Sequence, residues 1–473
     1  MRSLETGNCS LMDKNISHKI AIIAPTCFYY QAPLFRALAG DDRIDLTVYF
    51  CTEEGSSGSD ANLVYGTNES WAPDEELLQG YKFEFLRNHI PRGSYLKSLV
   101  GLANLGIWEE LRQNRPDAVV IMSWMNPTWW LTFMACQKFG IPILLMTDAN
   151  VHAEQLKSFW KSWLKRIFLG KLLFPAMAGF LCAGTSNREL YMSFGVPEMR
   201  LFPFVYSWGY SSLIDESNRL EGRKSELRKE FGLPQDSVVV LYCGRFSEEK
   251  GTVELINAYK LVSSPKKALV LVGEGRLKRR MEELLDEHDH TSVYFMGFRN
   301  RNEIGKFYAL ADILVLPSQK ETWGMVVNEG LCFSLPVIVS DQVGAGADLV
   351  SHEENGYVFR TGDVKALAEW MTKLIELPDE DRVHMGEESQ RLINEWSGRD
   401  LPAAFVEYID SIALKTRTGN ARSLLWLYRL LPNWIGKIMA FSSIMILWGA
   451  ATGFLFLRPS IRRIKGILRK SRT

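Results

Sequence analysis

Two glutamates, Glu321 and Glu329, are the residues whose spacing most clearly suggests chemistry in this 473-residue chain. A strand-like run over 313–316 ends in a polar loop, and a helical pattern begins near Gly324. The first carboxylate therefore precedes a helix N-terminus, and the second lies two turns inside, roughly 12 Å away at ~1.5 Å per residue. Backbone N–H groups at such a terminus bind anions. Two acceptors beside it would suit a ligand with hydroxyls on both sides of a diphosphate, such as a nucleotide sugar; ordinary surface glutamates are the alternative.

Two cations follow another strand-like run, over residues 238–243. Arg245 and Lys250 lie in the segment GRFSEEKG at 244–251. In open α/β sheets, ligands bind beyond the carboxyl ends of the strands. Cations there could neutralise the charge that develops on a departing diphosphate, whereas solvated loop charges are the alternative for either residue alone.

The elements that would position these side chains alternate between strands and helices. This alternation predicts an α/β protein with two parallel, doubly wound sheets, that is, two Rossmann-like domains with a cleft between them. We expect an N-terminal extension, a first domain, a second domain and a tail at 1–17, 18–205, 206–416 and 417–473. The apolar runs that predict strands lie at 18–25, 45–50, 117–122, 141–146, 179–183, 238–243, 268–272, 293–296, 313–316 and 337–339.

Other motifs mainly exclude classes of enzyme. Gly273-Glu274-Gly275 follows a strand but is not the six-residue dinucleotide fingerprint. The sequence has no HExxH and no GxSxG motif, so metalloprotease and serine hydrolase chemistry lack support. The seven cysteines are scattered and form neither CxxC nor a Cys/His cluster, which argues against structural zinc and favours a reducing compartment. The polar N-terminus lacks a signal-peptide core, so secretion is not expected.

The net charge of zero hides a basic tail, because no acidic residue follows Asp410. Residues 438–457 form a run of twenty without a charge, which matches the length of a membrane-spanning helix. Residues 424–435 are short and apolar and predict an interfacial helix. A buried core helix is the alternative to the span, and the basic flanks leave open whether it crosses the membrane or inserts shallowly. The apolar content of the tail argues against nucleic acid as its partner.

Several motifs together resemble a known family. GRFSEEKG, VGEG, LPSQKETWGMVVNEGLCFSLPVIVSD and VGAGADLV resemble, in order and spacing, the second domain of the retaining glycosyltransferases of family 4, of the glycosyltransferase group 1 type. APTCFYYQAPLFRAL and AGTSNRELYMSFGVPEMRLF resemble the first domain. The resemblance covers about residues 18–405 and implies the GT-B fold.

The resemblance assigns roles to the residues introduced above. Arg245 and Lys250 would hold the donor diphosphate, Glu321 the hydroxyls of the transferred sugar, and Glu329 the ribose. Transfer would retain the anomeric configuration through an oxocarbenium-like transition state, without a metal or a cofactor. The backbone amides that would assist Glu321 are those of Thr322, Trp323 and Gly324. The nucleotide base would lie near Gly273, Gly275, Phe298 and Arg299.

The first domain departs from the family pattern. The glycine-rich loop common after the first strand is absent, so Tyr30 and Gln31 are our candidates for contacts to phosphate or acceptor. Asp148 and His152 follow the strand predicted at 141–146 and are candidates for acceptor activation or sugar contact. A structural role is the alternative for His152.

Residues 155–173 alternate basic and aromatic side chains, including Lys157, Lys161 and Lys165, as interfacial helices do. A core helix with a solvated basic face is the alternative. Together with the tail, the segment predicts a protein at the cytoplasmic face of a membrane with a lipid-linked or glycan acceptor. A nucleotide-sugar epimerase, a sugar phosphorylase and a non-catalytic membrane assembly subunit are the competing functions.

Overall fold

A computed structural model describes residues 17–28, 30–54, 77–90, 94, 101–122, 126–152, 166–204, 210–287 and 289–418. The predicted N-terminal extension, apart from residue 17, lies outside these ranges. So do residues 155–165 of the predicted amphipathic helix, the predicted interfacial helix at 424–435 and the predicted span at 438–457. No helix in the described part of the chain is both long and apolar enough to cross a bilayer.

The first domain is built on a seven-stranded parallel sheet in the order β3-β2-β1-β4-β5-β6-β7. Its interior strands are short and apolar and are buried by helices, as parallel sheets require. The strands are β1 His18–Ala24, β2 Ile44–Phe50, β3 Lys82–Phe85, β4 Ala118–Ile121, β5 Ile143–Thr147, β6 Gly179–Cys182 and β7 Leu201–Pro203. The helices are α1 Ala32–Ala39, α2 Ile107–Asn114, α3 Pro127–Phe139 and α4 Thr185–Ser193, with a π-helix at Arg166–Leu173.

The second domain is built on a six-stranded parallel sheet in the order β10-β9-β8-β11-β12-β13. Its strands are β8 Val238–Cys243, β9 Lys267–Val272, β10 Val293–Gly297, β11 Ile313–Leu316, β12 Val337–Ser340 and β13 Gly356–Phe359. Its helices are α5 Tyr210–Leu220, α6 Lys224–Glu230, α7 Thr252–Leu261, α8 Lys278–Glu283, α9 Arg301–Leu310, α10 Met325–Cys332, α11 Gly346–Leu349, α12 Val364–Glu376 and α13 Asp379–Ser397. In each sheet the strand order reverses beside the first strand, and ligands bind at such switch points.

The predicted α/β class and the two parallel sheets are confirmed, and each predicted strand is present within two residues of its expected bounds. The sequence analysis missed β3, β7 and β13, which are all edge strands. An edge strand is covered on fewer sides, so its sequence is short or mixed in polarity. The alternation in β3, Lys-Phe-Glu-Phe, shows this, since none of its residues is fully buried.

The last described helix, α14 at Leu401–Thr418, returns to the first domain. Leu401, Phe405 and Ile409 are buried in the core formed by one face of the first sheet. The Tyr408 hydroxyl donates a hydrogen bond to the Arg200 carbonyl oxygen at 2.8 Å. Thus residues 401–412 pack on the first domain, although the predicted boundary places 401–416 with the second.

Candidate active site

The carboxyl ends of β8, β9, β10 and β11 open into a cavity of about 450 Å³ at the interface of the two domains. This volume lies within the usual range for small-molecule sites. The first domain contributes Tyr30 and Asp148 to the lining of the cavity. Most of the predicted site residues line it, namely Tyr30, Asp148, Arg245, Lys250, Gly273, Arg299, Glu321, Thr322, Trp323, Gly324 and Glu329. Gln31, His152 and Gly275 are not among the lining residues.

Lys250 and Glu321 form an ion pair at the cavity wall, between the Lys250 Nζ and the Glu321 Oε2. The pair is largely shielded, since the Lys250 side chain is 28% exposed and that of Glu321 13%. The Ser318 hydroxyl lies 3.5 Å from the same Glu321 oxygen. A paired ammonium and carboxylate in a cleft provide both a cation for phosphate and an acceptor for hydroxyl groups.

Backbone contacts between two loops hold this ion pair together. The N–H groups of Gln319 and Lys320 donate to the Glu249 carbonyl oxygen at 2.9 and 3.1 Å. Gly251 lies so close to Pro317 that a Cβ atom there would be 2.1 Å from the Pro317 carbonyl oxygen. The loop that carries Lys250 and the loop that leads to Glu321 therefore form one layer.

Helix α10 begins as predicted, immediately after Gly324, whose φ of 97° is left-handed and suits glycine. The preceding residue, Trp323, is buried rather than facing solvent. Its indole N–H donates to the Asn328 Oδ1 at 2.9 Å, and its ring stacks on Trp396 of α13 at 5.7 Å. Trp323 thus fixes the start of α10 to the second domain.

Glu329 is held by a residue that the sequence analysis missed. The Tyr308 hydroxyl, on the buried face of α9, donates a hydrogen bond to the Glu329 Oε2 at 2.5 Å. Burial, with the neighbouring Cys243 thiol and Glu329 carboxylate, keeps the pKa of Tyr308 well above its ordinary value. The phenol therefore stays neutral and acts as a fixed donor to the carboxylate. No signal in the sequence pairs these two positions, because the contact joins separate helices.

The two predicted arginines differ in their surroundings. Arg245 is exposed at the cavity mouth, and its carbonyl oxygen accepts a hydrogen bond from the buried Tyr242 hydroxyl at 3.0 Å. Arg299 packs its guanidinium over the Phe307 ring at 5.5 Å and lies 3.7 Å from Glu303. Arg245 is thus placed to meet an anion from solvent, and Arg299 forms part of the wall.

Gly273 and Gly275 allow two loops to pack closely. A Cβ atom at Gly273 would lie 2.0 Å from the Gly244 carbonyl oxygen, and one at Gly275 would lie 2.3 Å from the Phe246 carbonyl oxygen. The Phe246 N–H donates to the Glu274 carbonyl oxygen at 2.9 Å. Their close packing supports the shape of the cavity floor, and Gly273 also lines it.

Asp148 contacts the second domain across the cavity, where the Thr322 hydroxyl lies 3.5 Å from its Oδ2. Its carboxylate reaches water in the cleft, but both domains surround it and reduce its hydration. This loss of hydration, together with repulsion from Glu321, raises its pKa above the ordinary value. A carboxylate with a raised pKa is a better general base than an ordinary one.

The remaining predicted site residues of the first domain are His152, Tyr30 and Gln31. His152 Nε2 is 3.3 Å from the Ser186 hydroxyl on α4, so it is held beside the cavity rather than in its lining. The Tyr30 ring stacks in parallel with Phe28 at 5.3 Å. Gln31 is buried at the residue before α1. Tyr30 is therefore the member of this loop that reaches the cavity.

The sequence analysis also missed the contacts that join the domains. Asn150 donates from its Nδ2 to the carbonyl oxygens of Glu321 and Thr322, at 2.8 and 3.2 Å. Thr185 donates to the Asp348 carboxylate from its N–H at 2.9 Å and from its hydroxyl at 2.6 Å. Thr185 and Asp348 lie in segments that the sequence analysis quoted, and Asn150 lies between the predicted Asp148 and His152. The pairing nevertheless depends on how the domains meet.

The second sheet and its cavity residues lie within a recognised sequence family. Residues 223–392 match the family model described as Glycosyl transferases group 1. Over these residues the chain is similar to that family. An uncharacterized glycosyltransferase of Methanocaldococcus jannaschii is 33% identical to the chain over 172 residues, 36% of this chain and 43% of that protein.

A second protein to which the chain is similar has a role in its name. The capsular polysaccharide biosynthesis glycosyltransferase CapM of Staphylococcus aureus is 32% identical over 239 residues, which cover 50% of this chain and 61% of CapM. The chain thus spans about half the length of the curated relatives it matches.

The likeness of the fold extends over both domains. The crystal structure of Anabaena HepE in complex with UDP superposes with a TM-score of 0.60, covering 85% of this chain and 100% of HepE at 16% identity. The two Rossmann-like domains thus share the GT-B fold of this structure.

Proposed function

We propose that the protein is a retaining glycosyltransferase that moves a sugar from a nucleotide-sugar donor to a glycan or lipid-linked acceptor. One observation carries this proposal: the Lys250–Glu321 pair and the Tyr308-held Glu329 lie in the lining of a single cavity between two domains. The group 1 match and the role printed for CapM support transfer in polysaccharide biosynthesis. The UDP bound by HepE makes a uridine diphosphate sugar the first donor to test.

The proposed mechanism uses charges that the cavity already holds. Lys250 and Arg245 neutralise the diphosphate as the bond between its oxygen and the anomeric carbon breaks. Glu321 accepts hydrogen bonds from the hydroxyls of the sugar ring, and Glu329 accepts those of the ribose. The acceptor oxygen forms the new bond on the face that the diphosphate leaves, and its proton passes to the departing phosphate oxygen. The reaction is proposed to need neither a metal nor a cofactor.

Asp148 and His152 are proposed to serve the acceptor. Asp148 stands on the first-domain wall of the cavity, opposite the loop that carries Glu321. Because the pKa of the Asp148 carboxyl is raised, its carboxylate oxygen is a stronger acceptor for a hydrogen bond from an incoming hydroxyl group. His152 lies behind it on the same loop, beside α4.

We further propose that the first domain faces the cytoplasmic leaflet of a membrane. Phe168 of the π-helix and Met192 and Met199 near α4 expose 43%, 44% and 68% of their surface. The predicted basic and aromatic segment 155–165 immediately precedes this helix. Removal of residues 419–473 and neutralisation of Lys157, Lys161 and Lys165 should abolish binding to anionic liposomes. Truncation should begin after 418, because α14 packs in the first-domain core.

Donor cleavage, with water in place of the acceptor hydroxyl, is tested with the full chain in detergent, incubated with UDP-, GDP-, ADP- and dTDP-sugars and followed by NMR of the anomeric proton. We expect nucleotide release with one of them, abolished in Glu321→Gln and preserved in the control Glu380→Gln at an exposed position of α13. Conversion of the donor sugar to an isomer without release would instead identify an epimerase. Cleavage that is unaffected by Glu321→Gln would overturn the proposal.

A further inference from the structure

Asn150 reaches from the first domain into the donor-binding loop of the second. It follows β5 and is only 2% exposed. Its Nδ2 donates to two consecutive backbone carbonyls, of Glu321 at 2.8 Å and of Thr322 at 3.2 Å. An asparagine amide has two N–H donors, so one side chain matches both carbonyl oxygens.

The loop that carries Asn150 is itself fixed to the first domain. The Nδ2 of Asn187, on α4, donates to the Ala149 carbonyl oxygen. The Oδ1 of Asn187 accepts from the Ala183 N–H at 3.1 Å, which anchors α4 to the end of β6. Asn150 is therefore a rigid extension of the first sheet and not a mobile surface side chain.

A second contact holds the domains at the separation that Asn150 requires. Thr185, the first residue of α4, donates twice to the Asp348 carboxylate on α11. Gly184 beside it has no side chain, and a Cβ atom there would lie 2.3 Å from the Trp323 ring. The first domain thus contacts the Glu321–Trp323 segment closely and at several points.

We propose that Asn150 is a positioning residue through which the first domain sets the direction of the Glu321 side chain. This inference rests on the proposed function, since it concerns the carboxylate that serves the transferred sugar. Two hydrogen bonds to consecutive carbonyls fix the peptide planes that follow Glu321 and Thr322. They thereby restrict the backbone torsions that set the Cα–Cβ direction of Glu321. Lys250 and Ser318 hold the Glu321 carboxylate from within the second domain. Asn150 adds a restraint that exists only while the two domains are together, which disfavours donor cleavage in an open cleft.

The first test separates binding from turnover. Asn150→Ala removes both donors, and Asn150→Asp places a carboxylate against two carbonyl oxygens. We expect kcat for the donor that the unaltered protein cleaves to fall roughly 10- to 100-fold in each, as for misplaced catalytic groups. The affinity for the free nucleoside diphosphate should change by less than about twofold, because Asn150 is not in the cavity lining.

The second test measures the pH dependence of kcat, which would be the same in both variants if Asn150 had a purely structural role. An aspartate at 150 regains one O–H donor when it is protonated, so the kcat of Asn150→Asp relative to Asn150→Ala should rise as the pH falls. Charged or titratable groups on the neighbouring segments are common to both variants, so the ratio removes their titration. These groups include Asp148 and His152, which follow β5, Tyr191 on α4, Glu321 with Lys250, and Asp348 on α11.

A matched control is Asn104, also fully buried in the first domain. Its Nδ2 likewise donates to two backbone carbonyls, of Cys51 at 2.9 Å and Leu86 at 2.7 Å, but far from the second domain. Asn104→Ala should lower the melting temperature and leave kcat of the folded protein near that of the unaltered chain. Equal kcat losses in Asn104→Ala and Asn150→Ala would overturn the inference.

Small-angle X-ray scattering gives a readout that does not depend on activity. Asn150→Asp should increase the radius of gyration of the full chain at neutral pH, since the new charge repels the opposing carbonyls. An unchanged radius together with unchanged kcat would overturn the inference. If the unaltered protein cleaves no nucleotide sugar, the proposed function fails, and an expanded Asn150→Asp would still support the interdomain role of the residue.

Discussion

The Tyr308 hydroxyl on α9 holds the Glu329 carboxylate on α10 with a hydrogen bond of 2.5 Å. Both residues line the cavity, and the phenol is fully buried beneath it, so the bond joins the core of the second domain to its ligand site. Hydrogen bonds to charged groups contribute about 1.5–3 kcal/mol. The position of Glu329 therefore depends on a residue that has no place in the cavity motifs of the sequence.

Tyr308→Phe should weaken binding of the donor nucleotide roughly tenfold, because Glu329 loses the donor that orients it. Isothermal titration with UDP and the other nucleoside diphosphates measures the effect. Tyr294→Phe is the matched control, since its hydroxyl donates to the Thr291 carbonyl oxygen at 3.1 Å on an exposed surface. Identical affinities in the unaltered protein and Tyr308→Phe would contradict the role given to Tyr308.

Lys250→Met should lower kcat roughly 100- to 1,000-fold, as the loss of a preorganised charge on a departing group does. The substitution keeps the aliphatic chain and removes the partner of Glu321. Steady-state rates of nucleotide release provide the measurement. Lys306→Met, which breaks an exposed pair with Glu230 at 2.8 Å, serves as control and should leave the rate unchanged. An equal loss of kcat in Lys250→Met and Lys306→Met would indicate a general effect of removing a positive charge and would contradict the role given to Lys250.

Gly184→Ala should separate the domains, because its Cβ atom would lie 2.3 Å from the Trp323 ring and 2.6 Å from an Asp348 oxygen. We expect at least a tenfold loss of kcat together with an expanded scattering profile. Gly106→Ala is the control, since a Cβ atom there meets nothing within 4 Å. A compact, fully active Gly184→Ala would show that the domain contact is dispensable.

Asp348 makes the stability of the domain contact sensitive to pH. Burial raises the pKa of this carboxyl above its ordinary value, against the hydrogen bonds from Thr185. The folded state therefore binds the proton more tightly than the unfolded state, so this contribution to stability is present at low pH. It is lost as the pH rises from the ordinary pKa through the raised one.

Asp348→Asn removes this titration, so the stability of the unaltered protein relative to the variant should fall across that pH window. Urea unfolding at a series of pH values measures the difference. Asp363→Asn, at the residue that caps α12, is the matched control for the change of charge. A constant difference between the unaltered protein and Asp348→Asn at every pH would contradict the assignment.

The interior of the fold was predictable because buried parallel strands are continuous apolar runs, and β8 and β11 have the predicted bounds. The edge strands were not predictable in this way, because solvent on one side of an edge strand permits a sequence of mixed polarity such as that of β3. Likewise, Glu321 and Glu329 could be found because they lie on one strand-loop-helix unit, where spacing along the chain fixes spacing in space.

The supporting contacts could not be predicted for the converse reason. Tyr308 is 21 residues from Glu329, and Asn150 is 171 residues from Glu321. Their pairing depends on the packing of helices and on the meeting of two domains, which local pattern does not encode. The glycines 273 and 275 illustrate the same limit, because their close approach to the loop after β8 is visible only in three dimensions.

The most direct test of the central claim is thermal stabilisation of the full chain in detergent by UDP-, GDP-, ADP- and dTDP-sugars, with Glu329→Ala alongside. A ligand that binds only the folded state raises the melting temperature. The account predicts a shift with one class of nucleotide sugar that is lost in Glu329→Ala and retained in Tyr294→Phe. No shift with any nucleotide sugar, or an equal shift in Glu329→Ala, would contradict a donor site in this cavity.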